Sequence, residues 1–429
     1  MSIATKLAKL KTIKQDIKSA LEEKGQTPSN VFSTYANNIR AIETGGSSGE
    51  ITIPSVSNLQ VSEKGIATWT APDITSLAAY NPVISYLVSV NDGEAVETSD
   101  TTLNLRLLLN DGTNNISVVV KALLTNNNDT STTIEYSKPT EAITTLSATL
   151  TENLEGTSSA AVGKKIYIFG GLSSSYKKTI QKFDTTTETI TTLSVNLPSN
   201  AAYSNAVTIE NNIYILGGVT GSTNNSDTIR KFDTKTETIT TLSTTLYTSL
   251  AYMSSAVVGS NIYVFGGATN YSGSSKINYI QKIDTTTGTR TKLNVSLGQS
   301  IMATSAAALE NNIYIFGGIN NSDVAINAIR KFDTTTETIT TLSTTLPSGR
   351  GYTSSVAIGT TIYVFGGSNG TYYNDILKFD TETETITISD IKLPKSISRT
   401  SAASVEYNIY IFGGKETTTK VNTIFKYIP

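Results

Sequence analysis

IYIFGG, residues 166–171, recurs as IYILGG at 213–218, IYVFGG at 262–267, IYIFGG at 313–318, IYVFGG at 362–367 and IYIFGG at 409–414. Successive copies start 47, 49, 51, 49 and 47 residues apart. Self-similarity at a fixed step of this size marks a repeat architecture in which each unit is one supersecondary element. Alternating aromatic and branched residues read as a short buried strand. The glycine pair ends it where the backbone needs a positive φ or a close approach to a neighbouring segment.

Working outward, every repeat holds four strand candidates. A small, apolar first strand precedes the hexapeptide, from SSAAVG at 158–163 to SAASVE at 401–406. Small residues suit the crowded ring around a propeller axis. The third strand reads TIQKFD, TIRKFD, YIQKID, AIRKFD, DILKFD and TIFKYI, and the fourth reads TITTLS or a variant. Asp184, Asp233, Asp284, Asp333 and Asp380 end five third strands. They read as turn formers whose carboxylates accept backbone N–H bonds, not as a ring of metal ligands. The last repeat stops at TIFKYIP without a fourth strand, while an orphan fourth strand, AITTLS at 142–147, precedes the first repeat. Pairing the two predicts a six-bladed ring with neither edge exposed.

The glycine pairs and the K-F-D strand make residues 140–429 resemble a kelch-repeat array, which implies a β-propeller. The chain departs from kelch in its fourth strand, where Ile190 and Ile239 stand in place of the family's tryptophan. The arginine that often precedes the first strand survives only as Arg350 and Arg399.

At 429 residues the chain has room for two to four domains. Residues 1–44 read as a helical hairpin. Leu7, Leu10, Ile13 and Ile17 share a face of its first helix, and Phe32, Tyr35 and Ile39 a face of its second. Gly25 breaks the first helix, and Thr27-Pro28 opens the second. Two helices bury little by themselves, so these seven residues are expected to anchor the chain on a partner or on copies of itself. GGSSGE at 45–50 is a flexible linker. Residues 51–139 hold six or seven short strands with turn signals, a spacing that suits an immunoglobulin-like sandwich. Trp69 early and Tyr86 on a central strand resemble a fibronectin type III domain, which implies a spacer. The late-strand tyrosine of that family is absent, with Asn115 and Ile116 near its place. Trp69, the single tryptophan, reads as core.

Composition narrows the chemistry. The net charge is −2 with 16% charged residues and no Lys/Arg run, so no nucleic-acid footprint is present. There is no Cys and no His, which removes thiolate chemistry, the commonest metal ligand and the usual general base. Some kelch-like propellers are copper oxidases, but their chemistry needs His ligands. Loop carboxylates Asp227, Asp323 and Asp375 are of the type a glycosidase uses, yet nothing pairs them. The expectation is a binding protein with no enzymatic activity, catalytic residue, cofactor or metal. No apolar run approaches the 18 residues of a membrane span, and the N-terminus lacks the apolar core of a signal peptide. Synthesis in a bacterial cytoplasm is expected.

Chain reversal across four strands puts short, uniform turns on one face and variable connections on the other. Variable loops on a rigid scaffold are where binding concentrates. Those loops carry Tyr176, Tyr203, Tyr247, Tyr252, Tyr271, Arg350, Tyr352, Tyr372, Tyr373 and Arg399 among amides and carboxylates. Aromatic faces with polar hydrogen-bonders suit a neutral polysaccharide. The N-terminal string, with Ile13-Lys14, Asp16-Ile17, Lys24-Gly25, Phe32, Tyr35-Ala36 and Ile39, resembles the helical module that opens tail and baseplate proteins of bacteriophages infecting Gram-positive bacteria. That resemblance implies a virion protein. Residues 1–44 would attach to the tail or baseplate, and the propeller would bind host-surface polysaccharide or protein. A decoration or docking role in the virion, or an intracellular kelch scaffold, is the alternative.

Overall fold

The computed structural model describes residues 55–61, 65–73, 84–91, 94–104, 112–122, 131–138 and 141–429. The hairpin expected at 1–44, with Leu7, Leu10, Ile13, Ile17, Phe32, Tyr35 and Ile39, and the linker at 45–50 lie outside those residues. The chain divides into two compact units between Thr140 and Glu141.

The first unit contains two antiparallel sheets. One orders Ser57–Val61, Ile66–Thr70 and Thr102–Asn104; the other orders Val96–Thr98, Ile84–Val90, Gly112–Ala122 and Ser131–Lys138. Strand alternation places Leu59, Ala67 and Trp69 of the first sheet against Tyr86, Val88, Ile116 and Val118 of the second in a single core. Trp69 is buried, edge-on to Tyr86 with ring centroids 5.2 Å apart. Ile116 is fully buried in this core.

The second unit is a β-propeller, mostly of four-stranded antiparallel sheets. The first sheet is typical: Ser158–Val162, Lys165–Phe169, Thr179–Asp184 and Thr189–Asn196 run as a meander from the axis outward. Five sheets are continuous in sequence. A further four-stranded sheet joins Ser401–Val405, Asn408–Phe412 and Thr423–Ile428 to the strand Ala142–Thr149. Phe425 pairs with Thr145 and Tyr427 with Ile143 in that union. The innermost strands neighbour one another in a closed circuit, Ser401–Val405 lying beside Ser158–Val162.

The hexapeptide works between sheets. Tyr167 and Phe169 clasp Phe232 of the next sheet at 5.2 and 5.8 Å, and the same aromatic triad recurs at four other junctions. Each such ring pair contributes about 0.5–1.5 kcal/mol beyond the area it buries. The glycine pair meets both of its demands at once. Gly170 has φ +59°, and a Cβ there would lie 1.9 Å from the Ala201 carbonyl oxygen. That same oxygen accepts the Gly171 N–H at 2.8 Å, docking the inter-sheet connection onto the strand end.

On the uniform face, the third-strand aspartates form turns. Asp233 Oδ1 accepts the N–H of Lys235 and Thr236 at 2.8 and 3.1 Å, and its four counterparts do the same. Backbone donors hold Asp233, Asp284, Asp333 and Asp380 below the usual carboxylate range. In most third strands a lysine also reaches a glutamate beside the neighbouring fourth strand, as in Lys182–Glu237 at 2.6 Å and Lys331–Glu384 at 2.9 Å; Lys231 forms no such pair among the described residues.

Candidate functional site

Ten residues before each hexapeptide stand Gly156, Tyr203, Tyr252, Ala303, Tyr352 and Arg399. Each caps the axial end of an inter-sheet connection, and each has left-handed φ between 53° and 63°. Each N–H donates to the carbonyl of the preceding residue in the set, Tyr203 to Gly156 at 2.7 Å and so on around. Gly156 closes the circle on Arg399 at 2.9 Å. Five non-glycine residues at positive φ are a local strain that only an over-determined setting sustains, and such strain collects at functional sites. Here the closed backbone ring is that setting.

The ring's side chains cover the mouth of the central channel. Tyr203 lies over Gly156, where any Cβ would strike its ring at 2.5 Å. Tyr203 and Tyr252 are nearly stacked at 4.5 Å. The small Ala303 lets Tyr252 and Tyr352 meet edge-on at 6.2 Å. The Arg399 guanidinium sits 4.7 Å over Tyr352 and binds Glu155 at 2.6 Å, and Lys420 lies 3.6 Å from the same carboxylate. Glu155 is only 3% exposed. Burial pushes the phenols of Tyr203, Tyr252 and Tyr352 up, so they remain neutral donors. Burial alone would lower Arg399, but Tyr203 and Glu155 outweigh it and hold the guanidinium above its ordinary value.

A cavity of about 180 Å³ lies against these residues. Below the ring, hydroxyls bridge neighbouring sheets: Ser158–Ser204 at 3.0 Å, Ser254–Thr304 at 2.8 Å, Ser305–Thr353, Ser354–Thr400 and Ser401–Thr157 at 2.9 Å. At the remaining junction Met253 replaces the hydroxyl, and Asn205 turns to Ser255 at 2.7 Å. A further space of about 340 Å³ continues along the first strands, walled by Ala, Val, Ser and Thr.

Of the ten residues expected to bind, the mouth brings together Tyr203, Tyr252, Tyr352 and Arg399. Tyr271, 43% exposed, flanks it, its carbonyl accepting the Tyr252 hydroxyl at 2.9 Å. Tyr176 and Tyr372 fold back on Leu172 and Ser368 within their own loops. Tyr247 stands apart at the outer rim, near Arg290. Arg350 is a correction. It is 1% exposed, ion-paired with Asp375 at 3.0 Å and laid 4.0 Å over Tyr373, so Arg350 and Tyr373 brace a junction. Arg350 and Arg399 are not repeat equivalents either, since they precede their hexapeptides by twelve and ten residues.

Glu155, Gly156, Ala303 and Lys420 belong to the site without having been singled out. The ten-residue phase would have found the ring members. Glu155 carries no such signal because it interrupts its repeat, and Lys420 lies in a variable connection with no consensus to depart from. Two of the three carboxylates named for hydrolysis form ion pairs: Asp323 holds the buried Lys276 at 2.7 Å, and Asp375 holds Arg350. Among the described residues no group of three acidic, His or Cys side chains is placed to hold a metal. The mouth offers aromatic faces, neutral phenol donors and the Arg399 cation, with Glu155 and Lys420 paired beside it, a combination suited to holding a polar ligand.

The Attractin/LZTR1 beta-propeller family profile matches residues 166–424, more than half of the chain. The chain belongs to this family. The matched span of this Attractin/LZTR1-type propeller begins at the first hexapeptide and ends in the C-terminal strand, so it carries the ring of mouth residues from Tyr203 to Arg399. No curated protein matches the chain.

Proposed function

We propose that the chain is an adhesion protein of a bacteriophage or phage-tail-like particle. Residues 1–44 dock on the tail or baseplate, residues 51–139 form a fibronectin type III-like spacer, and residues 140–429 form a six-bladed kelch-type propeller. The propeller closes with its own N-terminal strand and offers its channel mouth to host-surface polysaccharide or protein. The mouth itself carries the binding part of this reading: three tyrosines and Arg399 converge on one cavity at strained backbone positions. Blade count and closure draw support from the circuit of four-stranded sheets and from the pairing of Ala142–Thr149 with Thr423–Ile428. The particle assignment draws support from the N-terminal sequence resemblance. Several copies per particle raise weak single-site binding by about 10²–10⁴ through avidity.

The test is saturable retention of the labelled full-length chain on cell walls from a panel of Gram-positive bacteria. Wild-type chain is expected on at least one wall, and Arg399→Gln is expected to lose it. Equal retention of both forms would refute the mouth as the binding site.

A further inference from the structure

Six near-identical sheets provide an internal reference, and one junction departs from it in every layer. Between the second and third sheets, Met253 replaces the bridging hydroxyl, and Ile283 replaces the clasped aromatic ring. At the outer edge the fourth strand Thr289–Ser296 reads TRTKLNVS where the others read TITTLS or a variant. Arg290 and Lys292 thus take places held in the second repeat by Ile239 and Thr241. Gly288 takes the place of Glu188, Glu237, Glu337 and Glu384. Tyr247 stands where the first repeat has Pro198, and Tyr279 where it has Thr179.

These five substitutions meet in space. The Arg290 guanidinium covers the Tyr247 ring at 4.4 Å, and the Lys292 ammonium covers the Tyr279 ring at 4.4 Å. The Tyr247 hydroxyl accepts the Lys292 N–H at 3.2 Å and reaches the Arg290 carbonyl, and Thr248 bonds Tyr279 at 3.0 Å. Arg290 Nη1 binds the Thr245 and Leu246 carbonyls at 2.8 and 2.6 Å, which fixes the guanidinium. Among the described residues Arg290, Lys292 and Lys231 form no ion pair, whereas the equivalents of Lys231 pair with the glutamate that Gly288 has replaced. Relative to the other sheets, the edge has lost a carboxylate and gained two cations beside a tyrosine that is 40% exposed.

We propose that this outer edge is a second binding site, independent of the channel mouth, for an acidic polysaccharide. Fixed cations on aromatic faces pair with carboxylate or phosphodiester groups, while the exposed tyrosine face packs against sugar rings. A nucleic acid is disfavoured by the chain's net charge of −2 and by the small extent of the patch.

The test titrates oligogalacturonate, dextran and a single-stranded oligonucleotide into the full-length chain by calorimetry, at two salt concentrations. Two variants borrow what other repeats use. Lys292→Thr removes a cation whose ammonium, among the described residues, meets Tyr279 and no carboxylate. Gly288→Glu restores the carboxylate, and the space there is open, the nearest atom to a Cβ being Thr244 Oγ1 at 3.6 Å. Oligogalacturonate is expected to bind in a salt-dependent way and dextran not to bind. The double variant is expected to bind about tenfold more weakly, with a melting temperature lowered by no more than a few degrees because position 288 has φ +71°. Undiminished binding by that variant, equal binding of dextran, tighter binding of the oligonucleotide, or no oligogalacturonate binding at low salt would each overturn the proposal. Arg399→Gln leaves this binding untouched, which separates failure here from failure at the mouth.

Discussion

Glu141 is the residue on which the union of the first and last strands of the propeller turns. It begins the second unit, immediately before the strand Ala142–Thr149. Its carboxylate accepts from Tyr427 of the C-terminal strand and from Lys378 and Ser389 of the adjoining sheet. Tyr427 is fully buried and Ser389 is 4% exposed, so Glu141→Ala strands two hydroxyls away from water. At about 1–3 kcal/mol per orphaned group, and little for the half-exposed lysine, the loss is about 3 kcal/mol. For a unit of this size that lowers the melting temperature by about 5 °C. The assay has a built-in control. The single tryptophan, Trp69, lies in the first unit, so its fluorescence follows that unit while tyrosine circular dichroism follows the propeller. Only the tyrosine transition is expected to move. A shift below about 1 °C, or an equal shift of the Trp69 signal, would refute the reasoning.

The same residue gives a pH dependence. Burial pushes the Glu141 carboxyl up, but the bonds from Lys378, Ser389 and Tyr427 together outweigh it and hold the group below its ordinary value. A carboxyl lowered on folding stabilises above its unfolded value, and that stabilisation fades as the pH drops through the folded value. The gap between wild type and Glu141→Gln is therefore full at neutral pH and closes below about pH 4, by denaturant titration at several pH values. Gly170→Ala drives a Cβ into the Ala201 carbonyl and is expected to cost more than about 3 kcal/mol. Gly163→Ala, with φ +56° and no atom within 4 Å, should cost about 1 kcal/mol in the same melts. Arg350→Ala leaves Asp375 without its partner and is expected to destabilise by about 3 kcal/mol without altering retention on cell walls.

The propeller was legible because its pattern is redundant: six hexapeptides fix the phase, and one displaced TITTLS strand marks where the ends join. The burial of Tyr167 and its equivalents followed from the alternation, and the turn role of Asp184 and its counterparts from their place at the strand end. The site was legible only in part. Tyrosines in variable loops could be named from composition, but which of them converge depends on repeat phase. Tyr203, Tyr252 and Tyr352 share the ten-residue offset, while Tyr247 and Tyr373 do not. Arg350 looked like a loop cation because burial is a tertiary property. Besides the local Ser348 hydroxyl, its acceptors are Asp375 and the Gly366 carbonyl of the next sheet, 25 and 16 residues away. The clamp at Glu141 was invisible for the same reason, since its partners Lys378 and Tyr427 are 237 and 286 residues distant.

Whether the channel mouth is where ligand is held can be read at the tyrosines themselves. Fluorine-labelled tyrosine in the full-length chain gives one resonance per ring, assigned by single substitutions. Addition of solubilised fragments from a cell wall that retains the chain should shift Tyr203, Tyr252 and Tyr352 in a saturable way and leave the inter-sheet Tyr167 and Tyr263 unmoved. Fragments that bind without moving those three resonances would contradict the assignment of the site.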